Sequence, residues 1–296
     1  MQPAMTNTGK STAPAATTGL VPFVVALFFV WGFATVLNDT LIPKLKALFA
    51  LNYTEVMLTQ FCFFIGYFLF SVPAGRMLER LGYMRTIVIG LCVMAAGCLM
   101  FSPAAMIGVY PVFLAALFVV AAGITILQVA ANPFIAVLGP EETSHSRLNL
   151  AQAFNSLGTF VGPWVGASLL LSHQFVAPDP RSLSASALSA IRIREAQSIQ
   201  FLFVTIAAVL AVLALVFWGK RRAAAAMGQE NPAKAAPVWR VVLEHPRLAL
   251  GVVSIFVYVG AEVSIGSIMT NYLMQASVLG VAAVTAGHLV SLYWGG

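Results

Sequence analysis

The stretch Val112-Phe-Leu-Ala-Ala-Leu-Phe-Val-Val-Ala-Ala-Gly-Ile-Thr-Ile-Leu-Gln-Val-Ala-Ala-Asn-Pro-Phe-Ile-Ala-Val-Leu138 runs for 27 residues without a charge. A hydrocarbon core about 30 Å thick is crossed by roughly 20 helical residues. The stretch is therefore long enough and apolar enough to span a membrane. Its apolar residues are continuous rather than alternating, which excludes an outer-membrane barrel strand. Six more runs of this kind follow on either side: Pro22–Ile42, Val56–Gly75, Thr86–Ile107, Leu150–Ser172, Ile199–Trp218 and Ala249–Gln275. The segment Ala276–Gly296 is uncharged but weakened by Gly280, Gly287, Gly295 and Gly296. An eighth span starts better near Thr285, and the chain then stops about halfway through it.

The whole chain agrees with that reading. Of 296 residues, 60% are hydrophobic and 9% charged, against about 45–50% and about 25% in soluble domains. A soluble enzyme, a disordered chain and a disulfide scaffold are excluded. The net charge of +6 is scattered between the apolar runs rather than gathered in a patch, so it reads as membrane topology and not as a nucleic-acid footprint. All 16 Lys and Arg fall outside the seven spans, eleven on the side of the amino terminus and five on the other. The basic excess places the amino terminus in the cytoplasm. Residues 1–20 read as a disordered cytoplasmic tail without the order of a cleavable signal. Cys62, Cys92 and Cys98 lie inside apolar runs and read as reduced, buried packing residues.

Six spans over 21–218 form one bundle, a basic, Pro-broken cytoplasmic linker covers 219–248, and 249–296 begins a second bundle with span seven and part of span eight. Six spans, a long basic linker and more spans is the plan of transporters whose two halves are related by an axis along the membrane normal. The loop Arg181–Ser198 has Ser/Ala helix-forming character and lies on the outer side.

Charges and amides inside spans are the candidate functional groups. A mid-bilayer charge costs about 2.5–3.5 kcal/mol on insertion scales and marks function by default. Only Asp39 and Glu262 of the ten acidic residues lie in spans. A carboxyl in apolar surroundings can exchange a proton near neutral pH, which proton-coupled transport requires. Asp39 also reads as an interfacial residue beside Pro43 and Lys44. Asn38, Gln60, Gln128, Asn132, Gln152, Asn155 and Asn271 are amides that lie in spans. Gln128 and Asn132 share one face of span four, and Gln152, Asn155 and Thr159 one face of span five. An amide both donates and accepts, as sugar hydroxyls do, although amides also bind helix to helix. Trp31 and Tyr258 lie in helical register with Asp39 and Glu262, where an aromatic face can stack on a sugar. The prolines Pro73, Pro133 and Pro163 read as kinks. The four histidines lie in loops or at a span edge, and no metal cluster, catalytic triad or cofactor fingerprint is present. An enzyme and a cofactor are not expected.

Phe28-Phe29-Val30-Trp31-Gly32-Phe33-Ala34 leading to Leu37-Asn38-Asp39 resembles the fucose:proton symporter family of the major facilitator superfamily. So do Ala130-Ala131-Asn132-Pro133-Phe134 and Arg147-Leu148-Asn149-Leu150-Ala151-Gln152-Ala153-Phe154-Asn155-Ser156-Leu157-Gly158. The loop with Gly75, Glu79, Arg80, Gly82 and Arg85 resembles the superfamily's cytoplasmic gate motif, with Glu79 for the usual Asp. Gln128 and Glu262, in Val257-Tyr258-Val259-Gly260-Ala261-Glu262, point to the glucose/galactose branch. The fucose branch has a glutamate and a glutamine at these places, so a carboxylate swapped from span four to Glu262 is expected. The resemblance places the family's first-span coupling aspartate on Asp39 and its sugar-contacting fifth-span amides on Gln152 and Asn155, and the swap makes Glu262 the expected second proton- or cation-coupling acid.

The resulting expectation is an all-α, multi-pass inner-membrane protein of major-facilitator type, importing glucose/galactose-type hexoses with H⁺ or Na⁺. Trp31, Asn38, Gln128, Asn132, Gln152, Asn155 and Tyr258 would line the sugar site. The family has twelve spans, so the chain reads as truncated at its carboxyl end. The rival readings are a non-transporting remnant and a fucose-type permease.

Overall fold

The computed structural model describes residues 19–49, 51–107, 109–171, 185–226 and 238–295. Most of the tail, the loop at 172–184 and linker residues 227–237 lie outside the described residues. The described residues are helical, without a strand. Apolar residues in long runs explain this: in lipid a helix satisfies its own backbone hydrogen bonds. In chain order the elements are α1 (Val21–Leu48), α2 (Tyr53–Ile107), α3 (Tyr110–Val137), a 3₁₀ turn (Glu141–Thr143), α4 (Ser144–Leu170), α5 (Ala185–Ala226), α6 (Val238–Glu244), α7 (Pro246–Leu273) and α8 (Ala283–Gly295).

The 55 residues of α2 hold spans two and three. Gly82, at φ 76°, ψ 176°, separates them. That backbone region is open essentially to glycine alone. The limb 53–81 runs parallel to α3: Thr59 meets Tyr110 and Gly66 meets Ala121. The limb 83–107 runs antiparallel to α3: Tyr83 meets Phe134, Gly90 meets Leu127 and Gly97 meets Val120. The chain therefore reverses at Gly82, and the expected spans two and three are both present.

α1 and α4 lie parallel and very close. Along them Gly158 faces Phe29 and Phe33, Gly162 faces Phe33 and Val36, and Gly166 faces Leu37 and Thr40. In lipid, helix association depends on close packing, and small residues permit it. α5 closes the bundle, with Phe203 stacked on Phe101 at 3.9 Å between ring centroids. The apolar core runs through α1 to α5, with Phe28, Phe63, Phe113, Phe134 and Phe217 among its largest side chains. α8 packs antiparallel on α4, with Gly287 against Ala167 and Gly295 against Phe160. α7 meets the rest through the face carrying Gly266, Ser267 and Thr270.

Several expectations need correction. The helices outrun their apolar stretches: α1 continues through Pro43 to Leu48, and α5 extends from within the outer loop, past span six, into the linker. Lys44, expected in a loop, lies inside α1 with 1% of its surface exposed. Its ammonium donates to the Leu170 carbonyl at 2.9 Å. Leu170 ends α4, where helix carbonyls lack intrahelical donors and attract cations. Of the cysteines expected to be buried, Cys98 is, Cys62 is half-buried and Cys92 is exposed. Cys92 sits on an apolar helix surface, where a bilayer takes the place of protein packing.

Candidate functional site

Asp39 is 7% exposed and Asn38 3% exposed on α1. Two other elements converge on them. Gln60, from the first limb of α2, donates through Nε2 to Asp39 Oδ1 at 2.5 Å and to Ser267 Oγ at 2.6 Å. Asn38 Nδ2 donates to Gln60 Oε1 at 2.9 Å. That bond turns the Gln60 amide so that its hydrogens point at the carboxylate and the serine. Ser267 of α7 reaches Asp39 Oδ1 at 3.1 Å and its own-helix Val263 carbonyl at 2.7 Å. The expected coupling carboxylate is thus ligated by uncharged donors from two other helices. A buried carboxylate held by donors and not by a cation can change its protonation without leaving an orphaned positive charge. The Asn38 Oδ1 acceptor is buried with no hydrogen-bond partner among the described residues.

The amides of α3 and α4 form a second row. Gln128 donates to the Tyr67 hydroxyl at 3.3 Å, and Thr35 of α1 also reaches that hydroxyl. Gln152 donates to Asn132 Oδ1 at 3.3 Å. The structure therefore joins the expected amide faces of α3 and α4 at one pair, Asn132 and Gln152. Asn155 behaves differently. Its Nδ2 donates to the Phe28 carbonyl at 3.2 Å, and its backbone faces Gly32. In this state Asn155 binds α4 to α1. Trp31 is buried against Phe28, their rings 5.0 Å apart, and its carbonyl accepts from Thr35.

Glu262 is half-buried on α7. Tyr258 donates to its Oε1 at 3.2 Å, so the expected register of aromatic and acid is a direct bond. Tyr258 itself is 64% exposed. Tyr293 of α8 donates to the Glu262 carbonyl at 2.8 Å and lies within electrostatic reach of both Glu262 and Asp39. In the gate motif, Gly82 makes the reversal between spans two and three, Gly75 has open space around it, and Glu79, Arg80 and Arg85 are exposed.

Sequence reasoning missed Ser267 and the role of Gln60. Ser267 gave no signal, since serine is ordinary within membrane helices. Gln60 was visible as an intramembrane amide, but only the packing of α2 on α1 shows which carboxylate it serves. In the sequence Arg147 is a topology charge at the head of a resembling stretch, with no sign of its partners. Its guanidinium donates to the carbonyls of Ile135 at 3.1 Å, Ala136 at 2.6 Å and Pro140 at 3.0 Å, and to Thr143 Oγ1 at 2.6 Å. It caps the carboxyl end of α3 and ties it to the start of α4.

This arrangement defines a class: an all-α, multi-pass membrane protein with a buried, neutrally ligated carboxylate where α1, α2 and α7 meet. The family model described as Major Facilitator Superfamily matches residues 20–296, and the chain belongs to that superfamily. It is 47% identical over 270 residues to the glucose/galactose transporter of Brucella abortus biovar 1 (strain 9-941), an alignment covering 91% of this chain and 62% of that one. It is 36% identical over 286 residues to the L-fucose-proton symporter of Escherichia coli (strain K12), covering 93% and 64%. Among solved structures it resembles the Major Facilitator Superfamily transporter FucP in the outward conformation, with a TM-score of 0.70 and 32% identity over 93% of this chain and 68% of that one. The chain thus spans about three-fifths of the length of the curated relatives it matches.

Proposed function

We propose that this chain belongs to a secondary active importer of glucose/galactose-type hexoses, coupled to H⁺. The observation that carries the reading is Asp39, buried inside a span and held by Gln60 and Ser267 from two other helices. Substrate binding at the meeting of two bundles is how such carriers expose one site to each side in turn. The glucose/galactose name of the 47% identical relative supports the choice of sugar, and the symporter name of the second supports H⁺ over Na⁺. Asp39 takes the coupling proton, with Glu262 as the second coupling acid. Asn38, Gln128, Asn132, Gln152 and Asn155 hydrogen-bond the sugar, and Trp31 and Tyr258 stack on it. Asn155 must release Phe28 to do so, and the unpaired Asn38 acceptor, buried here, must be uncovered before it takes a sugar hydroxyl. Gly75, Glu79, Arg80, Gly82 and Arg85 form the cytoplasmic gate. The protein lies in the inner membrane with its amino terminus in the cytoplasm, which puts the basic majority inside.

The test is radiolabelled galactose uptake into proteoliposomes under an imposed pH gradient. Uphill accumulation, accompanied by proton entry and blocked by excess glucose, is the expected result. Asp39→Asn abolishes accumulation and keeps galactose counterflow. Accumulation retained in Asp39→Asn overturns the coupling role. Competition by fucose and not by glucose makes the protein a fucose-type permease, a sodium requirement replaces H⁺, and no uptake of any hexose makes the chain non-transporting.

A further inference from the structure

Ser267 is the point where α7, the first helix after the linker, touches the carboxylate of α1. Its hydroxyl carries one hydrogen and has two acceptors in reach: Asp39 Oδ1 at 3.1 Å and the Val263 carbonyl at 2.7 Å. Its oxygen meanwhile accepts from Gln60 at 2.6 Å. One hydrogen cannot serve both acceptors at full strength. A hydrogen bond to an ionised group is roughly twice as strong as one to a neutral group. The charge on Asp39 therefore decides where the hydroxyl turns.

We infer that Ser267 is a charge-operated latch between the two halves of the protein. With Asp39 ionised, the Ser267 hydroxyl donates across the interface to Oδ1 and ties α7 to α1. When a proton from water binds Asp39, it enters on Oδ2, because Oδ1 already faces two donors. Oδ1 then becomes an ordinary carbonyl acceptor. The nearer Val263 carbonyl takes the Ser267 hydrogen, and the tie between α7 and α1 weakens. Gln60 keeps Asp39 in place through both states because Asn38 holds its amide. Ser267 is a positioning residue in this scheme. The inference rests on the proposed coupling role of Asp39.

The groups facing Asp39 leave the switch to that carboxylate. α2 presents the uncharged Gln60. α3 has no charged side chain, and α4 has none after Arg147. α5 meets α1 near its amino end, with Lys220 over the Phe23 ring. On α1, the Lys44 ammonium is engaged at Leu170. α7 and α8 contribute Glu262 and Tyr293, the latter within electrostatic reach of Asp39. His288 of α8 is occupied at Ser168, 3.0 Å away.

The test reads helix separation and needs no transport. Spin labels are placed at Lys46, near the end of α1, and at Ala276, just past α7, in the chain with Cys62, Cys92 and Cys98 replaced by alanine. Their distance distribution is measured by pulsed electron resonance in lipid nanodiscs at acidic and alkaline pH. The unsubstituted Ser267 protein is expected to show a short-distance population that grows at alkaline pH. Ser267→Ala loses that growth and keeps the acidic distribution at both pH values, while Ser267→Thr restores it. Ser267→Val, close in shape to threonine but without a donor, gives the alanine result and serves if the alanine variant does not fold. A Ser267→Ala protein that shifts with pH like its parent overturns the latch, and so does a parent that does not shift. If Asp39→Asn still shifts, the coupling reading of Asp39 falls as well. If Asp39→Asn is fixed while Ser267→Ala shifts, only the latch falls.

Discussion

Gln60 places both amide hydrogens on two different partners and its oxygen on a third. Such a residue is hard to replace, because each group it leaves behind is buried. Leaving a buried donor or acceptor unmet costs about 1–3 kcal/mol, more when the group is charged. We expect Gln60→Leu to destabilise the protein by about that amount, read as a lower unfolding temperature in detergent. Gln152→Ala is the contrast: that side chain is exposed and makes one long bond, so its effect on stability should stay within about 0.5 kcal/mol. Lys44→Met removes a charged donor from the last carbonyls of α4. A hydrogen bond to a charged group contributes about 1.5–3 kcal/mol, and the same thermal assay should show a loss of that size.

At the scale of elements, the α1–α4 contact depends on glycines that let two backbones touch. A Cβ at Gly158 would collide with the Phe29 carbonyl and sit 2.8 Å from the Phe33 nitrogen. A Cβ at Gly75 meets nothing within 4 Å. Overpacking costs about 1–3 kcal/mol, so Gly158→Ala should lower thermal stability while Gly75→Ala does not. Gly82→Ala should also destabilise, for a different reason. Its backbone region costs a residue with a Cβ about 1–3 kcal/mol. A circular-dichroism melt should therefore separate Gly158→Ala and Gly82→Ala from Gly75→Ala.

At the scale of the whole molecule, α1 to α5 share one apolar core, and α7 and α8 lie against it. α7 presents most of its apolar surface outward, with Phe256 79% exposed and Ile255 65% exposed. α7 and α8 meet the other helices through polar contacts, Ser267 to Asp39 and His288 to Ser168, and through close packing of Gly287 on Ala167 and Gly295 on Phe160. The helix directions give a topology that can be tested. The turn at Gly82 and the 3₁₀ turn at Glu141–Thr143 fall on one membrane face, since Tyr83 packs on Phe134 near the end of α3. Asn52, before α2, falls on the other. With native cysteines removed, single cysteines at Glu79 and Glu141 should react with a membrane-impermeant thiol reagent from one side only, and a cysteine at Asn52 from the opposite side. Labelling of all three from one side contradicts the fold.

The sequence by itself determined the class of fold. Long uncharged runs such as Val112–Leu138 admit only membrane helices, because lipid offers backbone groups no alternative partner. Hydropathy also exposed Asp39 and Glu262, since charge inside such a run stands out on its own. Helix ends were less legible, because α1 and α5 extend past the apolar stretch into residues that hydropathy scores as loop. Which amide does what was decided only by tertiary structure. Gln60, Asn155 and Gln152 are alike in sequence as polar residues in spans, yet one ligates Asp39, one anchors α4 to α1 and one reaches Asn132. Ser267 lies 228 residues from the carboxylate it meets. The reason is physical: burying apolar surface in a bilayer is a property of each segment, whereas a hydrogen bond between helices exists only once their rotation and depth against each other are set.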